Sequence, residues 1–199
     1  MKPLVVISCP ADTFSGYGAR SRDIALPLIK SGKYDVKILP QRWGQTPKGF
    51  IQNNPEWGFL SKHILSVQPP NQPEIWMQIT VPNEFQPIGK YNIGLTAGIE
   101  TTICDPSWIE GLNRMNLNLV SSEHSKETFL RSQFNVEENG KVKSQIKLQK
   151  PVEVLFEGAD LTKYLPTPSK FNLEDIQEEF AYLFVGHWLQ GNVGQDRKN

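Results

Sequence analysis

The chain has 199 residues, and its 21 Lys+Arg against 21 Asp+Glu give a formal net charge of zero, which argues against a nucleic-acid binder living on phosphate contacts. With 38% hydrophobic and 21% charged residues it has the material for a real core and too little charge for a disordered chain. Its 15 glycines and 15 prolines predict long loops and exclude collagen-like and coiled-coil architectures.

In chain order, Leu4-Val5-Val6-Ile7-Ser8-Cys9 is a short β-branched apolar run that reads as a strand buried on both faces and stopped by Pro10. Asp12 to Gly18 reads as a loop of small, turn-forming residues. A helix is expected from about Ala19 to Lys30, with Ile24, Ala25, Leu28 and Ile29 on one stripe, a bend at Pro27 and a stop at Gly32. Asp35-Val36-Lys37-Ile38-Leu39 alternates as a second strand, so the chain opens as a βαβ unit. Pro40 to Pro73 reads as loop, with a short helix near Trp57 to Ile64.

Strands are predicted at Ile75 to Ile79 and Tyr91 to Leu95, with Val81 to Phe85 as a loop between them. Asp105-Pro106 starts a helix whose buried stripe is Trp108, Leu112 and Met115. Leu117 to Val120 is a further strand, and Ser122 caps a helix running to about Ser132 with Phe129 and Leu130 apolar. Val152 to Phe156 is the next strand. From Leu161 the texture changes, and Tyr182 to Gly186 reads as one more buried strand leading to Gly191, Gly194, Arg197 and Lys198. The expected fold class is α/β, a Rossmann-like, mostly parallel sheet flanked by helices. The expected division is a domain over 1–165, a linker over 166–180 and the start of a second domain over 181–199.

Cys9 and Cys104 lie far apart without C-x-x-C spacing and read as core residues of a reduced protein. Val6-Ile7-Ser8-Cys9 resembles a lipoprotein cleavage box, but the apolar stretch before it is too short for a signal peptide. No stretch approaches a membrane span, so a cytoplasmic protein is expected. His63, His124 and His187 lack metal-ligand spacing, no acidic D-x-D pair is present, and no metal site is predicted.

Gly16-Tyr17-Gly18 falls where an open α/β sheet binds ligands, beyond a strand's carboxyl end and at a helix N-terminus. It reads either as a phosphate cradle or as a tight strand–helix turn; on the first reading, Gly18→Val harms donor use more than folding. Ser21 replaces the third glycine of G-x-G-x-x-G, and the second strand ends in Leu39-Pro40-Gln41-Arg42 without the carboxylate a nicotinamide site needs. Arg42 would instead suit a 2′-phosphate, which keeps an NADP-dependent oxidoreductase among the readings. The P-loop and G-x-S-x-G motifs are absent. Glu100 sits in a Gly/Thr-rich loop after a strand, either as a site residue or as a helix cap. The five tryptophans read as core or as sugar-stacking surfaces.

Three stretches together resemble the retaining, two-Rossmann-domain (GT-B) glycosyltransferases of family 4. Ser15-Gly16-Tyr17-Gly18 with the following helix and Asp35-Val36 resembles the family's N-terminal glycine loop and second strand. Val154-Leu155-Phe156-Glu157-Gly158-Ala159-Asp160-Leu161, through Tyr164 and Pro166, resembles the segment that ends its first domain. Tyr182 to Gly186 with Arg197-Lys198 resembles the opening of its donor domain. The sequence departs from the family at Thr96 to Thr102, where a histidine is missing, and at His187, where arginine is usual; the E-x7-E donor motif is absent.

The resemblance implies transfer of a sugar from a nucleotide-sugar donor to a carbohydrate, lipid or protein acceptor, without a cofactor. It implies donor phosphate contacts at Gly16, Tyr17 and Gly18 and at Arg197 and Lys198, two cations that read equally as solvated surface. From their own positions, Glu100 is the candidate catalytic residue, and His124, near a helix start, reads as an acceptor-side contact or as a solvent-facing first-turn histidine. The competing expectation is a non-catalytic Rossmann-like module that binds a nucleotide or a partner and transfers nothing.

Overall fold

The computed structural model describes residues 2–162, 164–165 and 176–182. The chain divides into two units, Met1–Phe156 and Glu157–Asn199. The first is α/β. Its strands β1 (Leu4–Cys9), β2 (Asp35–Pro40), β3 (Ile75–Ile79), β4 (Tyr91–Leu95), β5 (Leu117–Val120) and β8 (Val152–Val154) form one six-stranded sheet in the order β2-β1-β3-β4-β5-β8. Every adjacent pair is parallel. Parallel strands need crossovers on the sheet faces, and these are supplied by α1 (Gly16–Lys30), α3 (Pro106–Asn113), α4 (Glu123–Arg131) and the shorter α2 (Phe50–Asn53) with a 3₁₀ segment at Pro55–His63.

Both faces of the sheet are covered, because neighbouring residues on a strand point to opposite sides. On β1, Val5, Ile7 and Cys9 enter one cluster with Ala25, Ile38, Ile51 and Leu60, while Val6 enters the other with Trp76, Phe85, Ile109, Leu112, Met115 and Phe129. That double burial is why β1 reads as an uninterrupted apolar run.

Helix α1 begins three residues earlier than the propensities of Gly16 and Gly18 predict. Ser15, held extended at φ −126° and ψ 164°, accepts the Gly18 N–H with its hydroxyl at 2.9 Å and caps the first turn. The helix continues through Pro27; Pro27 and Asp23, the residue four before it, are both exposed, so the forfeited backbone bond faces water. Gly32, at φ +62°, stops it as predicted.

In α3 the predicted cap holds, with Asp105 accepting from the Ser107 N–H and Pro106 at the first position, but fully buried Ile109 takes the place expected of half-buried Trp108. In α4, Phe129 is buried, whereas Leu130, one residue on and about 100° round the helix, is 52% exposed. The expected helix at Trp57 to Ile64 is the 3₁₀ segment, and the loop at Val81 to Phe85 contains a 3₁₀ turn at Pro82–Glu84. Strand β8 ends two residues early, leaving Phe156 78% exposed.

A β-hairpin, β6 (Phe134–Glu138) and β7 (Lys141–Ile146), stands apart from the main sheet and is absent from the sequence-based expectation. Its turn is Asn139-Gly140 with both residues at positive φ, 54° and 73°. This is the two-residue turn whose twist matches antiparallel strands.

In the second unit Tyr164, Leu165, Phe180 and Tyr182 are exposed, and Phe180 meets Tyr182 edge-on with ring centroids 4.8 Å apart. The expected linker lies mostly, and the expected strand beyond Tyr182 wholly, outside the described residues, as do Arg197 and Lys198.

Candidate functional site

The carboxyl edge of the parallel sheet gathers most of the sequence-predicted residues. After β1 the chain turns at Pro10 and makes the loop to Ser15, and α1 presents Gly16, Tyr17 and Gly18 in its first turn. The two glycines differ. Gly16 is exposed and nothing lies within 4 Å of where its Cβ would stand. Gly18 is buried, and a Cβ there would collide with the carbonyl of Thr13 and lie 2.7 Å from that residue's hydroxyl. Gly18 is therefore required by packing whatever binds nearby, and Gly18→Val strikes folding directly.

Tyr17 connects this turn to the loop after β4. Its hydroxyl lies 3.0 Å from Thr96 Oγ1 and accepts the Ala97 N–H at 3.1 Å. The Gly98 N–H donates to Thr96 Oγ1 at 3.3 Å, and Ser121 Oγ donates to the Ala97 carbonyl at 2.7 Å. Gly98 adopts φ +89° and packs directly on Ser125, at the start of α4. Glu100 follows, exposed, and the next carbonyl, that of Thr101, accepts from Thr128 Oγ1 and lies 3.3 Å from His124 Nε2. The structure thus brings Gly16, Tyr17, Glu100 and His124 to one edge and anchors the Glu100 loop on both sides.

The segment after β2, which reads from the sequence as loop up to the short helix near Trp57, is organised by two residues. Asp12 accepts the Gly49 and Ile51 N–H groups with its two carboxylate oxygens, at 3.1 and 2.9 Å. Arg22, 5% exposed on α1, donates to the carbonyls of Ala11 at 2.7 Å and Thr13 at 3.0 Å. Its guanidinium lies 3.3 Å from the Phe50 ring centroid and 5.9 Å from that of Trp57. Burial pulls the pKa of this guanidinium down from its ordinary value, opposed by the charges of Asp23 and Asp12. A buried arginine is invisible to periodicity, because nothing in the helix pattern distinguishes it from a solvated one.

Two cavities result. One, of about 290 Å³, is lined by Asp12, Thr13, Gln41, Lys48, Gln52 and Ser61 with Pro40, Ile51 and Ile64 as apolar walls. The other, of about 240 Å³, is lined by Arg42, Trp43, Gly44, Gln45, Thr46 and Lys48. Trp43 stacks on Tyr17, ring centroids 4.0 Å apart and 26° from parallel, which sets the second cavity beside the first turn of α1.

The thiol of Cys9 is pushed up to about 12 by burial, which outweighs the hydrogen bond from Ser21. Burial also raises that of Cys104. Neither is a nucleophile at neutral pH. Among the described residues, no cluster of three or more His, Cys, Asp or Glu could hold a metal ion, and no helix is long and apolar enough to cross a membrane. No protein-family model, no curated protein and no solved structure matches the chain.

Proposed function

We propose that the chain takes part in glycosyl transfer from a nucleotide-sugar. The observation that carries this reading is the tie between the open first turn of α1 and the Glu100 loop, made by Tyr17 through Thr96 and Ala97. It sets an uncrowded helix N-terminus, suited to phosphate, on the same sheet edge as a carboxylate and a histidine. The segment from Val154 to Tyr164, similar to the end of the first domain in family 4 glycosyltransferases, supports the same reading.

In this chemistry the first turn of α1 faces the leaving diphosphate. Glu100 supplies negative charge against the positive charge that builds on the sugar ring, and His124 faces the acceptor. A dinucleotide site is disfavoured by the six residues, Pro10 to Ser15, between β1 and α1, since the fingerprint glycine should follow the strand at once. Backbone contact of Thr13 with Lys48, and of the Phe14 N–H with the Pro47 carbonyl, also bridges the path from α1 to the end of β2.

The test is a panel of nucleoside diphosphate sugars, scored by calorimetric binding and by release of nucleoside diphosphate. The expected result is one preferred donor, with Glu100→Gln lowering turnover about a hundredfold while binding persists. Absence of binding and release across the panel would sink the proposal.

A further inference from the structure

Two cavities of different chemistry meet at Lys48, which lines both. In the larger one the polar groups are suited to hydroxyls. Gln41 and Gln52 offer amides, and Gln41 is oriented by donating its Nε2 to Ser8 Oγ at 2.7 Å. The carboxylate of Asp12 is held in place by the Gly49 and Ile51 N–H groups, and its remaining lone pairs suit hydroxyl donors rather than an anion. Together with an apolar wall, this is the lining of a pocket for a neutral polyol ring, and about 290 Å³ holds a hexose.

The smaller cavity has the opposite character. Arg42 and Lys48 are its charged residues, both exposed, with the Thr46 hydroxyl beside them and no carboxylate in the lining. A guanidinium fork and an ammonium facing one polar hollow suit a phosphate or carboxylate group.

We infer that the paired cavities bind one anionic sugar, its hydroxyls against Gln41 and Gln52 and its oxyanion between Arg42 and Lys48. As the acceptor for glycosyl transfer, this ligand deepens the function proposed above and rests on it. The binding itself does not require transfer.

The experiment is calorimetric titration of the protein at low and moderate salt with glucose 6-phosphate, glucuronate, glucose, inorganic phosphate, NADP and a free nucleoside diphosphate. Glucose 6-phosphate or glucuronate should bind more tightly than glucose and than inorganic phosphate, and the stronger of the two names the oxyanion. Arg42→Ala and Lys48→Ala should each weaken that binding roughly fivefold, less at higher salt, and leave glucose binding unchanged. Gln52→Leu should weaken the anionic sugar and leave inorganic phosphate unchanged. Both cations are exposed, so the variants should keep the parent melting temperature.

Anionic sugars that bind no better than glucose, or no better than inorganic phosphate, would overturn the inference. So would NADP or the free nucleoside diphosphate being the ligand whose affinity depends on Arg42. Donor sugars turned over without anionic-sugar binding would leave the transfer reading standing and this inference refuted. Anionic-sugar binding with no donor consumed would do the reverse.

Discussion

At the scale of single residues, Gly16 and Gly18 separate a binding role from a packing role within one turn. A valine at Gly18 must displace the Thr13 carbonyl, so Gly18→Val should cost about 1–3 kcal/mol by overpacking and lower the melting temperature. Gly16→Val meets open space, and a melt should find its stability close to the parent. If phosphate approaches this turn, nucleotide-sugar affinity should fall in Gly16→Val all the same; unchanged affinity would return the loop to a structural turn. Arg22 is the other decisive residue. Arg22→Met removes the donor to two carbonyls and the cation over Phe50, an expected loss of about 1–3 kcal/mol by denaturant titration. Arg22→Lys should recover little of it, since an ammonium cannot reproduce the planar fork. The raised Cys9 thiol should resist iodoacetamide in the native protein and react on unfolding, as mass spectrometry would read.

Among the elements, α3 owes its start to Asp105. The Ser107 hydroxyl and N–H both donate to this carboxylate and hold its pKa below the ordinary 3.8. Because the folded value is depressed, the stabilisation is present above the unfolded value and lost as pH falls through the folded one. Asp105→Ala should therefore cost about 1 kcal/mol at neutral pH and progressively less in acid, by melts across a pH series. A cost independent of pH would assign the effect to propensity instead of the charged cap. In the hairpin, Gly140 at φ +73° has open space around it, so any penalty for a side chain comes from backbone strain alone. Gly140→Val should loosen β6 and β7 and leave the main sheet intact.

For the whole molecule, the sheet order sets where stability concentrates. Strands β1, β3, β4 and β5 have a parallel neighbour on each side, and the two core clusters cover the faces of the sheet. Amide exchange should be slowest at Val6, Ile7, Met77 and Leu95 and fastest in the exposed hairpin from Asn135 to Gln145. Both clusters and all six sheet strands lie before Glu157, so residues 1–156 alone should keep this protection pattern. Loss of protection in β1 and β3 on removing residues 157–199 would show that the second unit is needed for the first to fold.

What the sequence determined by itself was what local chemistry enforces. Continuous or alternating apolar patterns marked all six strands of the sheet, and Asp105-Pro106 and Ser122 marked two helix starts, because burial and capping leave compositional traces. It also contained the Asn139-Gly140 turn, a legible hairpin signal between exposed strands too polar to read as core. The early start of α1 is a local matter too, since the Ser15 cap and the Gly18–Thr13 contact outweigh the poor helix propensity of glycine. Tertiary structure decided the rest. It joined Tyr17 to Thr96 and Trp43, and turned Arg22 inward onto Phe50. Those contacts span up to 79 positions, and no periodicity encodes a meeting between side chains so far apart. The strands therefore follow from the chain's own pattern, while the cavities exist only because distant loops close on them.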